Sequence, residues 1–257
     1  MNLFEAIILA VVEGITEFLP ISSTGHLILT ARLLGIEQTE FVKSFEIIIQ
    51  LGAILAVVVL YFHLFLKNKN IWKTLLIAFL PSMVVGLAFY KIIKSVFFGN
   101  PYITLIALFV GGIVILLLEK KYTTMKSNTD TVGTITNKQA LLIGLCQSLS
   151  VIPGVSRAGA TILGGMYVGL KRTTAVEFSF LLAAPTMLAA STLDLTESYR
   201  LFRPGDVFLL SVGFLVAFVV ALFTMKWLLA FVRTNTLSPF GVYRIILSIV
   251  YYFLILR

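Results

Sequence analysis

Charge is what this sequence has least of. Charged residues make up 12% of the 257, about half of the roughly 25% usual in soluble globular proteins. With 59% apolar residues and a mean hydropathy of +1.01, the chain has too little polar surface to cover itself in water. A soluble domain is excluded, and an integral membrane protein takes its place. The apolar runs last about 20 residues, the length that crosses roughly 30 Å of hydrocarbon as a helix. The expected fold is therefore an all-α polytopic membrane protein. Cysteine is nearly missing as well. The single Cys146 rules out an internal disulfide and a cysteine-built metal cage, and in its apolar stretch it reads as a plain buried thiol. No cleavable signal is expected either: Glu5 stands where a positive region would be needed, and no small-residue cleavage site follows.

The formal charge of +8 would suit a nucleic-acid partner only if the basic residues formed a stripe. They sit instead in short loops between apolar spans. No nucleic acid is expected, and the pattern reads as topology signals and contacts to anionic lipid headgroups.

What is present is a succession of spans. Six segments are long and apolar enough to cross fully, at about 41–62, 71–90, 101–118, 174–193, 206–230 and 238–256. Trp72, Trp227, Tyr251 and Tyr252 lie near their ends, where amphipathic rings anchor at the headgroup level. The polar stretch 119–138 reads as a solvated linker whose charges belong to a loop.

Segments 3–35 and 139–170 differ from these spans. Each is an apolar half-helix, a polar break and a second half-helix. The breaks are Pro20-Ile21-Ser22-Ser23-Thr24-Gly25-His26 and Pro153-Gly154-Val155-Ser156-Arg157-Ala158-Gly159. Proline ends the first half-helix and serine caps the next. Re-entrant hairpins, with their irregular backbone buried in protein, fit this pattern. The two stretches also resemble each other: Glu13–His26 aligns with Gln147–Ala160, about 134 residues on, and Ser44-Phe45-Glu46 echoes Val176-Glu177-Phe178. The chain therefore reads as one membrane domain of two repeats, 1–118 and 139–257, joined by the linker. Each repeat holds one hairpin and three spans. Three is odd, so the second copy enters from the opposite side, an inverted-topology repeat whose two breaks converge near the midplane. Loops 63–73, 119–138, 171–172 and 226–236 carry eleven Lys/Arg against seven on the other side, with Arg157 and Arg244 set aside as intramembrane. The linker is therefore expected in the cytoplasm.

Four acidic residues, Glu13, Glu17, Glu46 and Glu177, lie inside apolar segments. An ionised group at that depth costs about 2.5–3.5 kcal/mol even on the lenient insertion scale. Glu13 and Glu17 share a helical face at i,i+4 and occupy the end of their half-helix, where the macrodipole disfavours negative charge. A cation, a shared proton or a facing Arg would relieve them. Arg157 has the mirror problem, a cation in the first turn of a helix. An anion resolves it, because backbone N–H groups from Gly154 onward, the Ser156 and Thr161 hydroxyls and a bidentate guanidinium form a phosphate donor set. Ser22, Ser23 and Thr24 offer the same cradle at the first break, with His26 one turn on. Glu46, its i+4 neighbour Gln50, and Glu177 are candidates for support behind the site.

At these residues the sequence resembles the undecaprenyl pyrophosphate phosphatase family, bacterial membrane proteins linked to bacitracin resistance. The resemblance runs nearly end to end and is strongest at Glu13–His26 (EGITEFLPISSTGH), Phe45–Gly52 (FEIIIQLG) and Pro153–Thr161 (PGVSRAGAT). One departure is visible: the family often has Ser after the Arg of the last motif, and here it is Ala158. The resemblance implies hydrolysis of undecaprenyl diphosphate to undecaprenyl phosphate and inorganic phosphate, which recycles a lipid carrier of cell-wall synthesis. It implies Glu13, Glu17, Ser23, His26 and Arg157 as the functional set, and a divalent cation, Mg²⁺ or Ca²⁺, near Glu13 and Glu17. It further implies a multi-pass protein of the bacterial cell membrane, with the site open to the outer face. The expected partners are a polyprenyl diphosphate lipid and the surrounding membrane lipids, and a homodimer is a candidate assembly. The nucleophile stays open between Ser23, His26 and water. The rival reading is a transporter or flippase of a polyprenyl phosphate, for which inverted repeats and a phosphate cradle would serve equally well.

Overall fold

A computed structural model describes residues 1–89, 100–122, 129–198 and 206–256. Helices α1 (Leu3–Thr16) and α2 (Ser23–Leu33) flank the first break. They are followed by α3 (Glu40–Leu60), the short α4 (Phe62–Lys67), α5 (Lys69–Ala88) and α6 (Pro101–Tyr122). Helices α7 (Asn137–Ser148) and α8 (Arg157–Tyr167) flank the second break, and α9 (Arg172–Ser198), α10 (Val207–Thr234) and α11 (Ser238–Tyr251) complete the chain. Among the described residues the one extended pairing is a bridge between Thr129 and Leu170. The all-α expectation holds.

Among the described residues five helices are long and apolar enough to cross a membrane: Glu40–Leu60, Asn70–Ala88, Pro101–Tyr122, Arg172–Leu193 and Val207–Thr234. The sixth expected span is shorter, Ser238–Leu254, because the regular helix stops at Tyr251 and winds on as a π-turn over Tyr252–Leu256. The four helices beside the breaks hold 14, 11, 12 and 11 residues. At 1.5 Å per residue the longest reaches about 21 Å, short of the roughly 30 Å of hydrocarbon. None of them crosses alone.

The repeat reaches further than the sequence alignment. Asn2 opens α1 with a capping box to Glu5, and Thr136 opens α7 with a capping box to Gln139. Ser22 caps α2 through Gly25 N–H, and Ser156 caps α8 through Gly159 N–H. Each second-half position follows its counterpart by the same 134 residues, and each cap satisfies a donor that a helix start leaves unpaired. Packing is exchanged in the same sense: α1 of the first half lies on α10, and α7 of the second half lies on α5. Both contacts are close. A Cβ on Gly14 would meet the Ala217 carbonyl at 2.9 Å, and one on Gly144 would strike the Ala78 carbonyl. Small residues at such crossings let helices approach where lipid removes the hydrophobic drive between them. Helices α3 and α9 pack together at the centre, as do α6 and α11. Phe18, Leu19 and Ile21 of the first break lie in one apolar cluster with Ala158 and Ile162 of α8 and Phe178–Ala184 of α9.

Three expectations need correction. The stretch 119–138 is not wholly a solvated linker. Helix α6 runs on to Tyr122, Val132 and Ile135 are buried in the core, and Glu119 is only 3% exposed. Glu119 receives Arg172 through both oxygens, at 3.0 and 2.7 Å, and the Leu237 N–H at 2.7 Å. It thereby ties α6 to α9 and to the α10–α11 turn. Tyr251 is not an interfacial anchor but fully buried with Leu29, Leu108 and Leu247, because it shares the inward face of α11 with Arg244, Leu247 and Ser248. Trp72, Trp227 and Tyr252 are exposed, as expected. Cys146 is half-buried and packs over Gly164, since α7 also presents an outer face. Lys91, Lys94, Lys126, Arg200, Arg203 and Arg257, used in counting charge, lie outside the described residues.

Replacing Glu119 by Ala should leave Arg172 without its buried counter-charge and the Leu237 N–H without an acceptor. The expected loss is about 3–5 kcal/mol, read as a lower thermal unfolding midpoint in detergent. An unchanged midpoint would contradict this account of the brace.

Candidate active site

The site is built where the two breaks touch. Glu17 follows the last turn of α1, and its backbone N–H donates the helix-end bond to the Glu13 carbonyl. Its carboxylate is turned inward, with the side chain 5% exposed. Both oxygens are engaged. Oε1 receives Arg157 Nη2 at 2.9 Å, and Oε2 receives the Ser23 hydroxyl at 2.6 Å. Ser23 is the first residue of α2 and Arg157 the first residue of α8. These two residues occupy equivalent places in the repeat, one from each half, and meet on a single carboxylate.

Arg157 is held from several sides. Nη1 donates to the Ser179 carbonyl at 2.9 Å, Nη2 approaches Met187 Sδ at 3.5 Å, and the guanidinium lies 5.7 Å from the Phe18 ring centroid. Its Nε is buried with no partner. Glu13, 1% exposed, keeps one buried oxygen, Oε2, without a partner and interacts electrostatically with Glu17, Glu46 and Arg157. Buried polar atoms are normally paired. An unpaired donor and an unpaired acceptor at one site mark places where a bound group would complete the bonding.

The breaks themselves are strained. Ser22 and Ser156 have φ of 73° and 48°, and they are the only non-glycine residues with positive φ among those described. Such conformations cost on the order of 1–3 kcal/mol each and persist where the surroundings enforce them. Gly154, with φ of 94°, lies so close to α6 that a Cβ would meet the Thr104 carbonyl at 2.6 Å.

His26 sits one turn into α2. Its Nδ1 is 2.7 Å from the Ser22 carbonyl, which accepts only, so this nitrogen carries the proton. Nε2 lies 2.6 Å from the Tyr243 hydroxyl, with the two rings stacked at 5.5 Å. A neutral His26 therefore accepts from Tyr243. Both ring nitrogens are occupied, and Ser23 turns to Glu17.

The other expected residues divide. Ser22 and Ser156 spend their side-chain oxygens on capping, and Ser156 Oγ also reaches the Leu19 carbonyl at 3.4 Å. Thr161 is buried and bonded to Ser179 Oγ at 2.6 Å, so it braces the strand of contacts behind Arg157. Thr24 stands beside Ser23 in the first turn of α2, outside the Glu17 contacts. Glu46 receives Gln38 at 3.5 Å and is, with Glu17, an electrostatic neighbour of Glu13. Gln50 is bonded to Ser191 at 3.3 Å. Glu177 has Tyr61 and Arg233 as its electrostatic neighbours, apart from the Glu17 contacts. Tyr243, Ser179 and Met187 were not foreseen. No local pattern marks them, since each reaches the site from a helix distant in sequence.

This geometry has relatives. The family model described as bacitracin resistance protein BacA matches residues 6–250. An undecaprenyl-diphosphatase of Sulfurihydrogenibium sp. (strain YO3AOP1) is 52% identical over 252 residues, covering 98% of this chain and 99% of that protein. Proteins of the same name from Aquifex aeolicus and Persephonella marina are 49% and 48% identical, over 98% and 100% of both chains. Matched along nearly its whole length, the chain belongs to the bacitracin resistance protein BacA family.

Proposed function

We propose that this chain hydrolyses undecaprenyl diphosphate to undecaprenyl phosphate and inorganic phosphate, with Ser23 as the nucleophile. The observation that carries the assignment is the 2.6 Å bond from the Ser23 hydroxyl to Glu17, on the carboxylate that also holds Arg157. The substrate's diphosphate enters beside Arg157, whose buried, unpaired Nε is a ready phosphate donor. The starts of α2 and α8 add backbone N–H groups. As the phosphate takes the guanidinium, Glu17 is left to receive the Ser23 proton.

Ser23 Oγ attacks the terminal phosphorus. A new P–O bond forms to the serine, the bridging P–O bond breaks, and undecaprenyl phosphate leaves with that electron pair. The departing undecaprenyl phosphate takes the first proton from Glu17, and water then attacks the phosphoserine, passing its own proton to the freed Glu17 carboxylate as the Ser23 O–P bond breaks. Inorganic phosphate departs, and the proton returns to Ser23. Positioning and charge neutralisation, the main requirements of phosphoryl transfer, fall to Arg157. With both its nitrogens bonded elsewhere, His26 holds the α2 start in place and does not attack.

Among the described residues no group of three or more His, Cys, Asp or Glu could hold a metal ion. A cation on a diphosphate, however, takes only one or two carboxylates, the remaining ligands being phosphate and water. Glu13 Oε2, buried and unpartnered, fits that role, while Glu17 has neither oxygen free. When bound, Mg²⁺ or Ca²⁺ would neutralise diphosphate charge there.

The same reading takes α1–α2 and α7–α8 as re-entrant hairpins and α3, α5, α6, α9, α10 and α11 as six crossings. The halves 1–118 and 139–257 are then inverted in the bacterial cytoplasmic membrane. The site opens outward and the segment 119–138 is cytoplasmic. The matched caps and exchanged packing support the two-fold relation. A carrier of polyprenyl phosphates would need the cradle but no hydroxyl aimed at a carboxylate, so the Ser23–Glu17 bond favours hydrolysis.

Ser23→Ala should give folded protein with phosphate release from a long-chain prenyl diphosphate reduced about 10³-fold or more. Rapid quench of the parent should trap phosphate on Ser23. Turnover near the parent rate in the Ala variant would exclude the serine route. Arg157→Lys should lose about 10²-fold, because an ammonium cannot replace the planar fork, and a fully active Lys variant would remove the clamp. Glu13→Gln should raise the Mg²⁺ concentration needed for half-maximal turnover after chelation, and an unaltered cation requirement would take the metal away from Glu13.

A further inference from the structure

Arg244 heads the fully buried side chains of the described residues, 2% exposed in the middle of α11. Its Nη2 donates to the carbonyls of Gly154 and Ala107 at 2.7 and 2.9 Å. Nη1 donates to the carbonyl of Pro20 at 3.2 Å, and Nε to that of Leu108 at 3.3 Å. Among the described residues no carboxylate lies within ion-pair distance. A buried cation without an anion is costly, and a surface or lipid-facing brace would not need one. These acceptors have a common meaning. Pro20 belongs to the first break and Gly154 to the second, so one planar group joins both irregular segments while leaning on a turn of α6.

The sequence is arranged to let it through. Gly111 on α6 faces the guanidinium so closely that a Cβ would collide with it. At Gly112 a Cβ would meet the Gly241 carbonyl at 2.7 Å, which is how α11 comes near enough to reach. The bonded carbonyls stand three residues before Ser23 and three before Arg157. Any change in the separation of Pro20 and Gly154 is passed to the hydroxyl and the guanidinium that meet on Glu17. Misplacement of about 1 Å at a reacting centre can cost 10²-fold in rate.

We propose that Arg244 is a positioning residue for the phosphoryl transfer: its planar guanidinium clasps the two breaks at one fixed separation, and with them Ser23 and Arg157. The proposal rests on the roles given above to Ser23 and Arg157. A lysine has one nitrogen and cannot hold both breaks from opposite edges of a plane. An added methyl at Gly111 displaces the guanidinium while keeping its charge.

The test measures kcat and KM for a long-chain prenyl diphosphate on purified, monodisperse full-length protein, scaled to the folded fraction, for Arg244→Lys, Gly111→Ala and Arg157→Lys. Arg244 touches no substrate, so its loss should fall on kcat. The expected result is a kcat at least tenfold lower in Arg244→Lys and Gly111→Ala, with KM within threefold of the parent. A structural brace would leave the folded fraction turning over at the parent rate, and that outcome overturns the clasp. If Arg244→Lys does not fold, Gly111→Ala decides by the same criterion. If neither variant folds, Arg244 is a stability element and the proposal fails. Parent-rate turnover in Arg157→Lys would sink the site reading, whereas parent-rate turnover confined to the Arg244 and Gly111 variants sinks only the clasp.

Discussion

The ion pair between Arg157 and Glu17 is the constraint from which the rest of this structure follows. Each charge alone would be expensive in an apolar bundle, and each sits at the helix end where the macrodipole opposes it. Paired at 2.9 Å, with side chains 10% and 5% exposed, they offset one another. The pair forms only if the end of α1 and the start of α8, 140 residues apart in the chain, are brought together. That requirement accounts for the glycines that let α1 and α7 settle against long helices of the opposite half. It also accounts for the packing of Phe18 beneath Arg157 and for backbone irregularity at the centre of the molecule.

Two matched breaks solve a geometric problem. A helix start presents unpaired N–H groups and a positive dipole end, and two of them facing one point suit a diphosphate. The repeat supplies both from one design, each opened by a serine in the left-handed region and a glycine three residues on. The halves then diverge in the side chain that follows the strained serine. One half carries Ser23 and the other Arg157. Ser23 and Arg157 thus hold equivalent positions of the two matched segments, differ in chemistry and meet on Glu17.

Much of this was legible in the sequence because the signals are local. Proline, glycine and hydroxyl clusters mark the breaks, carboxylates at i,i+4 mark the odd helix face, and an arginine in a first helical turn asks for an anion. The lengths of the apolar runs led to six expected crossings, five of which are long enough in the structure, but they could not show that α11 winds into a π-turn. What stayed hidden is what depends on helical phase and on partners far away in the chain. Tyr251 and Tyr252 are adjacent residues of the same type, yet one is buried and the other exposed. Glu119 looks like one more loop charge until Arg172 and the Leu237 N–H close on it. Tyr243 and Arg244 reach residues more than 200 positions earlier, His26 and Pro20, and no spacing rule connects them. Of the reliefs open to the carboxylates, the facing Arg is the one seen: Arg157 touches Glu17 directly, so a bound phosphate has to share or replace that contact.

The central claim is that Glu17 and Arg157 act as one unit across the two breaks. A double-mutant cycle on phosphate release from a long-chain prenyl diphosphate, using Glu17→Gln, Arg157→Lys and the pair, tests it most directly. If the two act together, the double variant should fall within about threefold of the worse single variant, because the first change already removes what the second would lose. If the two losses instead multiply in the double variant, the residues act independently and the account of a shared site is wrong.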